Sequence, residues 1–261
     1  MQFEKQSFNK KLKSMLKVDF KRMFSMPLVY IMCGVSFLLP ILILVMTGMM
    51  PSTTIDPVTG VETTIETFTN VWQAIGSTGS AMSMDLTSMC NINLLFFLVA
   101  IFVCIFINDD FRSGYAKNLF TVRAKKVDYI LSKTIVCFVS TIAMFLLFFA
   151  GAMIGGAIAS LSFSTEGFSI GGIIACLISK IFISLIFVSI AILLSAIAKQ
   201  KLWLSILCSL AAGMLLFTMI PMIAPLNAGM LNVIMCIAGG ALFALGLGSL
   251  SNIILKKTDL V

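Results

Sequence analysis

The chain contains no histidine. That removes the side chain most used for proton transfer near neutral pH, and with it His-dependent triads and HExxH metal sites. No GxxxxGK[ST] run occurs, so nucleotide binding of the P-loop kind is excluded. The seven cysteines, Cys33, Cys90, Cys104, Cys137, Cys176, Cys208 and Cys236, form no CxxC pair. Six of them fall inside apolar runs and read as small core hydrophobes rather than as ligands or a disulfide framework. No catalytic constellation is predicted, and no cofactor or metal is expected on this chain.

Charge is also scarce. Only 11% of residues are Asp, Glu, Lys or Arg, where soluble domains carry about 25%. Apolar residues make up 59% and the mean hydropathy is +1.08. The composition is that of an integral membrane protein. Residues 1–27 are basic and polar, and no short apolar stretch with a small-residue cleavage site follows them. The first apolar run is therefore expected to stay as a span rather than to be removed as a signal.

Six runs have the length needed to cross about 30 Å of hydrocarbon: residues 28–49, 91–107, 129–157, 170–198, 202–224 and 231–255. Basic residues set their orientation, because Lys and Arg collect in cytoplasmic loops. Seven precede the first run, Lys5 to Arg22. Arg112, Lys117, Arg123, Lys125, Lys126 and Lys133 follow the second, Lys199 and Lys201 the fourth, and Lys256 and Lys257 the sixth. With six spans, all 18 bases except Lys180 fall on one side. The other side holds Asp56, Glu62, Glu66, Asp85 and Glu166 and no base. Both termini are thus expected in the cytoplasm. The net charge of +7 follows from the same bias and suits anionic lipid rather than nucleic acid.

The expected fold is all-α: six transmembrane helices over residues 28–261, preceded by an interfacial amphipathic helix within residues 1–27. In that first segment Phe8, Leu12, Met15, Leu16, Phe20, Met23 and Phe24 recur at three- and four-residue spacing, with Lys10, Lys13, Lys17 and Lys21 on the other side. Residues 50–90 form a long outer loop, with a short helix predicted over 67–75 that rests Phe68 and Trp72 at the membrane interface. Two readings of this loop stay open, an external gate or cap and a solvated connector. Pro221 and Pro225 are expected to break the outer end of the fifth span. Gly151 and Gly155 form a GxxxG pair, and Gly240, Ala244 and Gly248 continue that spacing in the last span, predicting close helix packing.

Lys180 stands alone inside a span. Either it lines a wet cleft and meets an anionic substrate group, or it snorkels or pairs with a neighbouring carbonyl. No Asp or Glu falls inside the expected spans, which counts against transport coupled to protons or sodium.

The densest charge lies in the cytoplasmic loop 108–128, between the second and third spans. Asp109, Asp110 and Phe111 are expected to open a short helix with the acids at its positive end, and Gly114 to tighten a turn. Leu119 and Phe120 are apolar residues ringed by charge, which suggests a protein contact or a return to the membrane surface.

This stretch resembles the ABC-2 type permeases of ABC exporters. Many members carry an acid, then aromatic-x-x-Gly, then Lys-Asn-Leu, an Arg, and a Lys opening the next span. Here the order is Asp110-Phe111, Gly114, Lys117-Asn118-Leu119, Arg123 and Lys133, with aspartate where the family usually has glutamate. The six-span layout is similar too. The resemblance implies that Asp109, Asp110, Phe111, Arg112, Gly114, Lys117, Asn118, Leu119, Phe120 and Arg123 form a coupling helix. That helix would dock on a separate ATP-binding cassette ATPase carrying ATP and Mg. It also implies a second permease chain, identical or a sister, and a path between the two chains lined by spans one, two and five. The cargo would be a peptide, an antimicrobial or a hydrophobic compound, exported across a bacterial plasma membrane. An ATP-independent channel or carrier, or a scaffold without transport, are the competing readings.

Overall fold

The computed structural model describes residues 8–49, 52–55, 62–65, 68–76, 91–121, 125–165, 167, 169–199, 201–217 and 219–257. Among these the chain is helical apart from one small hairpin. The elements in order are α1 (Phe8–Ser25), α2 (Pro27–Met49), β1 (Ser52–Ile55), β2 (Glu62–Ile65), a 3-10 turn (Val71–Ala74), α3 (Leu94–Arg112) and α4 (Tyr115–Thr121). Then follow α5 (Lys126–Ile158), α6 (Ile170–Ala198), α7 (Leu202–Phe217), α8 (Ile220–Ile223) and α9 (Met230–Lys257).

Five helices, α2, α3, α5, α6 and α9, are long and apolar enough to cross a membrane. The run expected as a fifth span is divided. Its 16-residue α7 is about 24 Å long, short of the hydrocarbon thickness. A separate four-residue helix, α8, follows with Pro221 in its first turn, a place where the missing N–H costs nothing. Proline cannot prolong the helix before it, so the break falls where Pro221 predicts it.

α3 is the most enclosed of the five, and α2 and α9 are the least. Aromatic rings fill the space around α3: Phe96 stacks on Phe187 with centroids 4.7 Å apart and meets Phe145 at 5.6 Å, and Phe97 stacks on Phe217 at 5.3 Å. Outward faces carry large apolar side chains instead, such as Leu38, Leu42 and Met46 on α2 and Leu242 and Leu245 on α9. Such faces suit lipid as the surrounding solvent.

The GxxxG pair does what small residues do in membranes. A Cβ on Gly151 would overlap the Phe37 carbonyl, and one on Gly155 would lie 2.8 Å from the Ile41 Cα, so α5 lies backbone to backbone against α2 around Pro40. On α9, a Cβ on Gly240 would sit 2.6 Å from the Phe182 carbonyl oxygen of α6.

At one end of the bundle, β1 and β2 pair antiparallel, with Ser52 opposite Ile65 and Ile55 opposite Glu62. The helix expected over 67–75 is only the 3-10 turn, and Phe68 is buried in the core rather than resting at an interface. Asp56, Glu66, Asp85, Cys90 and Glu166, read above as residues of the outer side, lie outside the described residues.

Candidate functional site

The opposite end of the bundle collects the charge. α3 does not stop where its apolar run stops; it continues through Asn108, Asp109, Asp110, Phe111 and Arg112. Ser113 N–H then closes on the Asp109 carbonyl, Gly114 takes φ +73°, and α4 leaves in a new direction. Gly114 is thus the turn residue, since few side chains tolerate that backbone conformation. The two acids sit at the C-terminal, negative end of α3, not at the start of a helix as expected. The dipole opposes them there, so something else must hold them.

That support comes from α1 and α5. Asp110 Oδ1 accepts from Arg22 Nη1 at 2.5 Å. Asp110 Oδ2 accepts from the Tyr129 hydroxyl at 2.8 Å and pairs with Lys133 Nζ at 2.8 Å. Lys133 Nζ also pairs with Asp19 Oδ1 at 2.8 Å, while Asp19 Oδ2 accepts from the Ser132 hydroxyl at 2.6 Å. Asp19, Asp110 and Lys133 are all 0% exposed. Two acids and two bases therefore form a neutral quartet, linked in the order Arg22, Asp110, Lys133, Asp19. Each ion costs several kcal/mol to bury, and only saturated pairing offsets that cost. Aromatic faces complete the shell: the Arg22 guanidinium lies 3.9 Å from the Tyr115 ring centroid on α4, and Lys133 Nζ lies 4.3 Å from that of Phe106. Burial alone would lower the Arg22 titration, but the Asp110 carboxylate, helped by Tyr115 and Asp19, leaves the group titrating above its ordinary value. Burial, and then the Asp19 carboxylate, pushes the Tyr115 phenol up.

The quartet ties four elements into one unit, α1, α3 and α5 by ion pairs and α4 by stacking. Arg22 was read only as one of the bases that set orientation, and Asp19 is the member that the sequence reading passed over altogether. It lies midway between Met15 and Met23 on the apolar stripe of α1, and all three are buried. A charge at the centre of an apolar stripe was the available signal. The stripe itself is narrower than expected: Leu16 and Phe20 are half-buried against the core, and Phe24 is exposed.

The expected docking residues separate into two groups. Asp110 and Phe111 are buried, the first inside the quartet and the second against the core, so neither presents a surface. Asp109 is half-exposed at the rim, 3.5 Å from Arg22 Nη2. Arg112, Lys117 and Asn118 are exposed, and Leu119 and Phe120 are half-buried. Phe120 meets the Tyr129 ring edge-on at 5.4 Å, which anchors α4 to α5. Arg123 lies outside the described residues.

Lys180 is far from all of these, toward the hairpin end. It is 1% exposed, and its Nζ donates to the Ile75 carbonyl at 2.6 Å and to Asn93 Oδ1 at 2.9 Å. Of the two readings of this residue, the geometry is that of a cation paired with a neighbouring carbonyl.

A family model described as ABC-2 family transporter protein matches residues 15–215. The chain belongs to the ABC-2 transporter family and is a multi-pass membrane permease. The matched region takes in the quartet, α4 and Lys180, and leaves α8 and α9 outside. Members of the family are the membrane component of ABC transporters, generally not catalytic themselves, and pair with an ATP-binding cassette subunit. No curated protein and no solved structure matches the chain at a significant level.

Proposed function

We propose that this chain is the permease subunit of an ATP-driven exporter in a bacterial plasma membrane. ATP and Mg are bound and hydrolysed on a separate cassette ATPase. The charged end is cytoplasmic and α1 lies along the inner interface. α7 and α8 together make the fifth of six crossings. A second permease chain completes the transporter, and the cargo is a peptide, an antimicrobial or a hydrophobic compound.

Two contacts support an even number of crossings. Lys126, at the start of α5, donates to the Leu255 carbonyl at the end of α9, and Asp19 of α1 pairs with Lys133 near the same end of α5. α1 and the C-terminal end of α9 therefore lie at the same end of α5.

One observation carries the reading beyond family membership: α4 packs directly against the quartet, with Ala116 buried and Tyr115 under Arg22, while Lys117 and Asn118 stay exposed. A subunit pressing on α4 would push on α1, α3 and α5 at once, because the stacking and the ion pairs join them. The contact surface on this reading is the exposed part of the expected set, Arg112, Lys117 and Asn118, with the half-buried Leu119 and Phe120 at its edge and Asp110 and Phe111 as the frame behind it.

Gentle solubilisation of the tagged protein from its native cells, followed by mass spectrometry, tests the reading. A stoichiometric P-loop ATPase is expected. It should be lost when Lys117, Asn118 and Leu119 are changed together to alanine while the permease stays monodisperse. Folded, abundant permease without an ATPase would leave the lone channel or the scaffold.

A further inference from the structure

Residues 70–76 are not a surface connector. Asn70 accepts from Trp72 N–H and, with Gln73, forms a reciprocal cap that fixes the 3-10 turn. Asn70 Nδ2 donates to the Ser164 carbonyl at 2.8 Å and Val71 N–H to the Ser162 carbonyl at 3.1 Å, tying the turn to the link between α5 and α6. Val71 occupies the space a Cβ on Gly156 would need, so the turn is wedged against α5. Beyond it, Ile75 forms a small core of its own with Ile173 of α6 and Leu226 of the turn before α9. A Cβ on Gly76 would lie 3.1 Å from both the Leu226 Cβ and the Cys176 Sγ.

The depth of this insertion follows from α6. Lys180 is ten residues from Ile170, the first residue of α6, and so about 15 Å along the helix axis. Its ammonium takes the Ile75 carbonyl, which belongs to no helix or strand. Irregular backbone at such depth is tolerated only where protein groups satisfy it. Asn93, which precedes α3, supplies the other contact through its side-chain oxygen. None of the ion pairs among the described residues involves Lys180.

We propose that residues 70–76 are a re-entrant seal closing the hairpin end of the bundle between α5 and α6, and that Lys180 is the latch holding it there. Lys180 is a positioning residue: it fixes Ile75 of the turn and Asn93, the residue before α3, against each other. That the seal faces the outside rests on the function proposed above; that it exists does not. Its release would open the bundle from the hairpin end.

Native cysteines report on the seal. Cys176 is buried beneath it, with its Sγ 3.5 Å from the Ala224 carbonyl and 4.0 Å from that of Ile75. Cys104 and Cys137 are buried elsewhere in the bundle. The full chain in lipid nanodiscs, where both faces are accessible whatever the orientation, is treated with a charged methanethiosulfonate, and modification is read site by site by mass spectrometry. Cys176 should react slowly in the unaltered chain. In Lys180→Met it should react about tenfold faster or more, as expected when a protected site gains a low-energy local opening, while Cys104 and Cys137 stay protected. Fast reaction of Cys176 in the unaltered chain would exclude the seal. An unchanged rate in Lys180→Met, or an equal rise at Cys104 and Cys137, would exclude the latch.

Discussion

Each end of the bundle buries one lysine, and the two are held in different ways. Lys133 has two carboxylates and belongs to a neutral quartet spread over α1, α3 and α5. Lys180 has a backbone carbonyl and an amide oxygen. A charge near the centre of a membrane helix costs about 2.5–3.5 kcal/mol on insertion scales. The quartet offsets that cost ion against ion, so the loss of one member leaves a buried charge on its neighbour unbalanced. The single lysine offsets it against neutral dipoles, so its loss takes a donor from two neutral acceptors but strands no charge. One end is built to keep helices moving together, the other to keep a loop in place.

Breaking the quartet is therefore expected to have the largest effect. Lys133→Met leaves Asp19 and Asp110 buried with Arg22 as the only remaining base. Removal of one member of a buried pair costs about 3–5 kcal/mol. The variant should lose most of its monodisperse yield in mild detergent, with a clearly lower Tm in what remains. Adding Asp19→Asn restores the charge balance, and the double variant should be more stable than Lys133→Met alone. A double variant that is worse than the single would mean the four groups are not acting as one charge-balanced unit.

Next is the packing that lets the two ends share one bundle. A Cβ on Gly151 would overlap the Phe37 carbonyl. Gly151→Val forces α2 from α5, and overpacking of this kind costs about 1–3 kcal/mol or more. A thermal melt of the detergent-solubilised variant checks it. Gly239, which has open space where a Cβ would go, is the matched control and should tolerate alanine with no loss.

Lys180→Met should cost less than Lys133→Met, about 1–3 kcal/mol, the range for buried neutral acceptors that lose a donor. The comparison is sharpened by measuring both variants in one melt series. If Lys180→Met proved the more damaging of the two, the view of one ionic and one dipolar anchor would fail.

The sequence made the helices legible because length and apolarity are local properties. α6 begins and ends at residues 170 and 198, where the hydropathy run does. Of the two prolines expected to break the fifth run, Pro221 and Pro225, the first opens the separate helix α8 beyond the short α7. What was not legible was non-local. Nothing near Asp110 tells that α3 continues through it, since the groups that make this tolerable, Arg22 and Lys133, are 88 and 23 positions away. Without those partners, two adjacent acids read as the start of a water-facing helix. The same blindness turned a seal into an undecided loop, because the 3-10 turn has meaning only against Gly156, Ser162 and Lys180. In both cases the residue types were visible and the partners were not.

The smallest effect on stability is expected at Arg22, and it is informative because of its size. Arg22 is 23% exposed, unlike the other three members of the quartet. Its planar guanidinium both pairs with Asp110 and stacks over Tyr115, so it is the link that brings α4 into the unit. Arg22→Lys keeps the charge and loses the stacking and fork geometry. Stability should fall by only about 1 kcal/mol or less, as for a partly solvated pair. If the quartet is a mechanical frame for α4, this mild variant should still weaken recovery of the ATPase in the native pull-down, with the permease fully folded. Equal recovery from Arg22→Lys and the unaltered chain would place the frame's task within the bundle and free α4 from it.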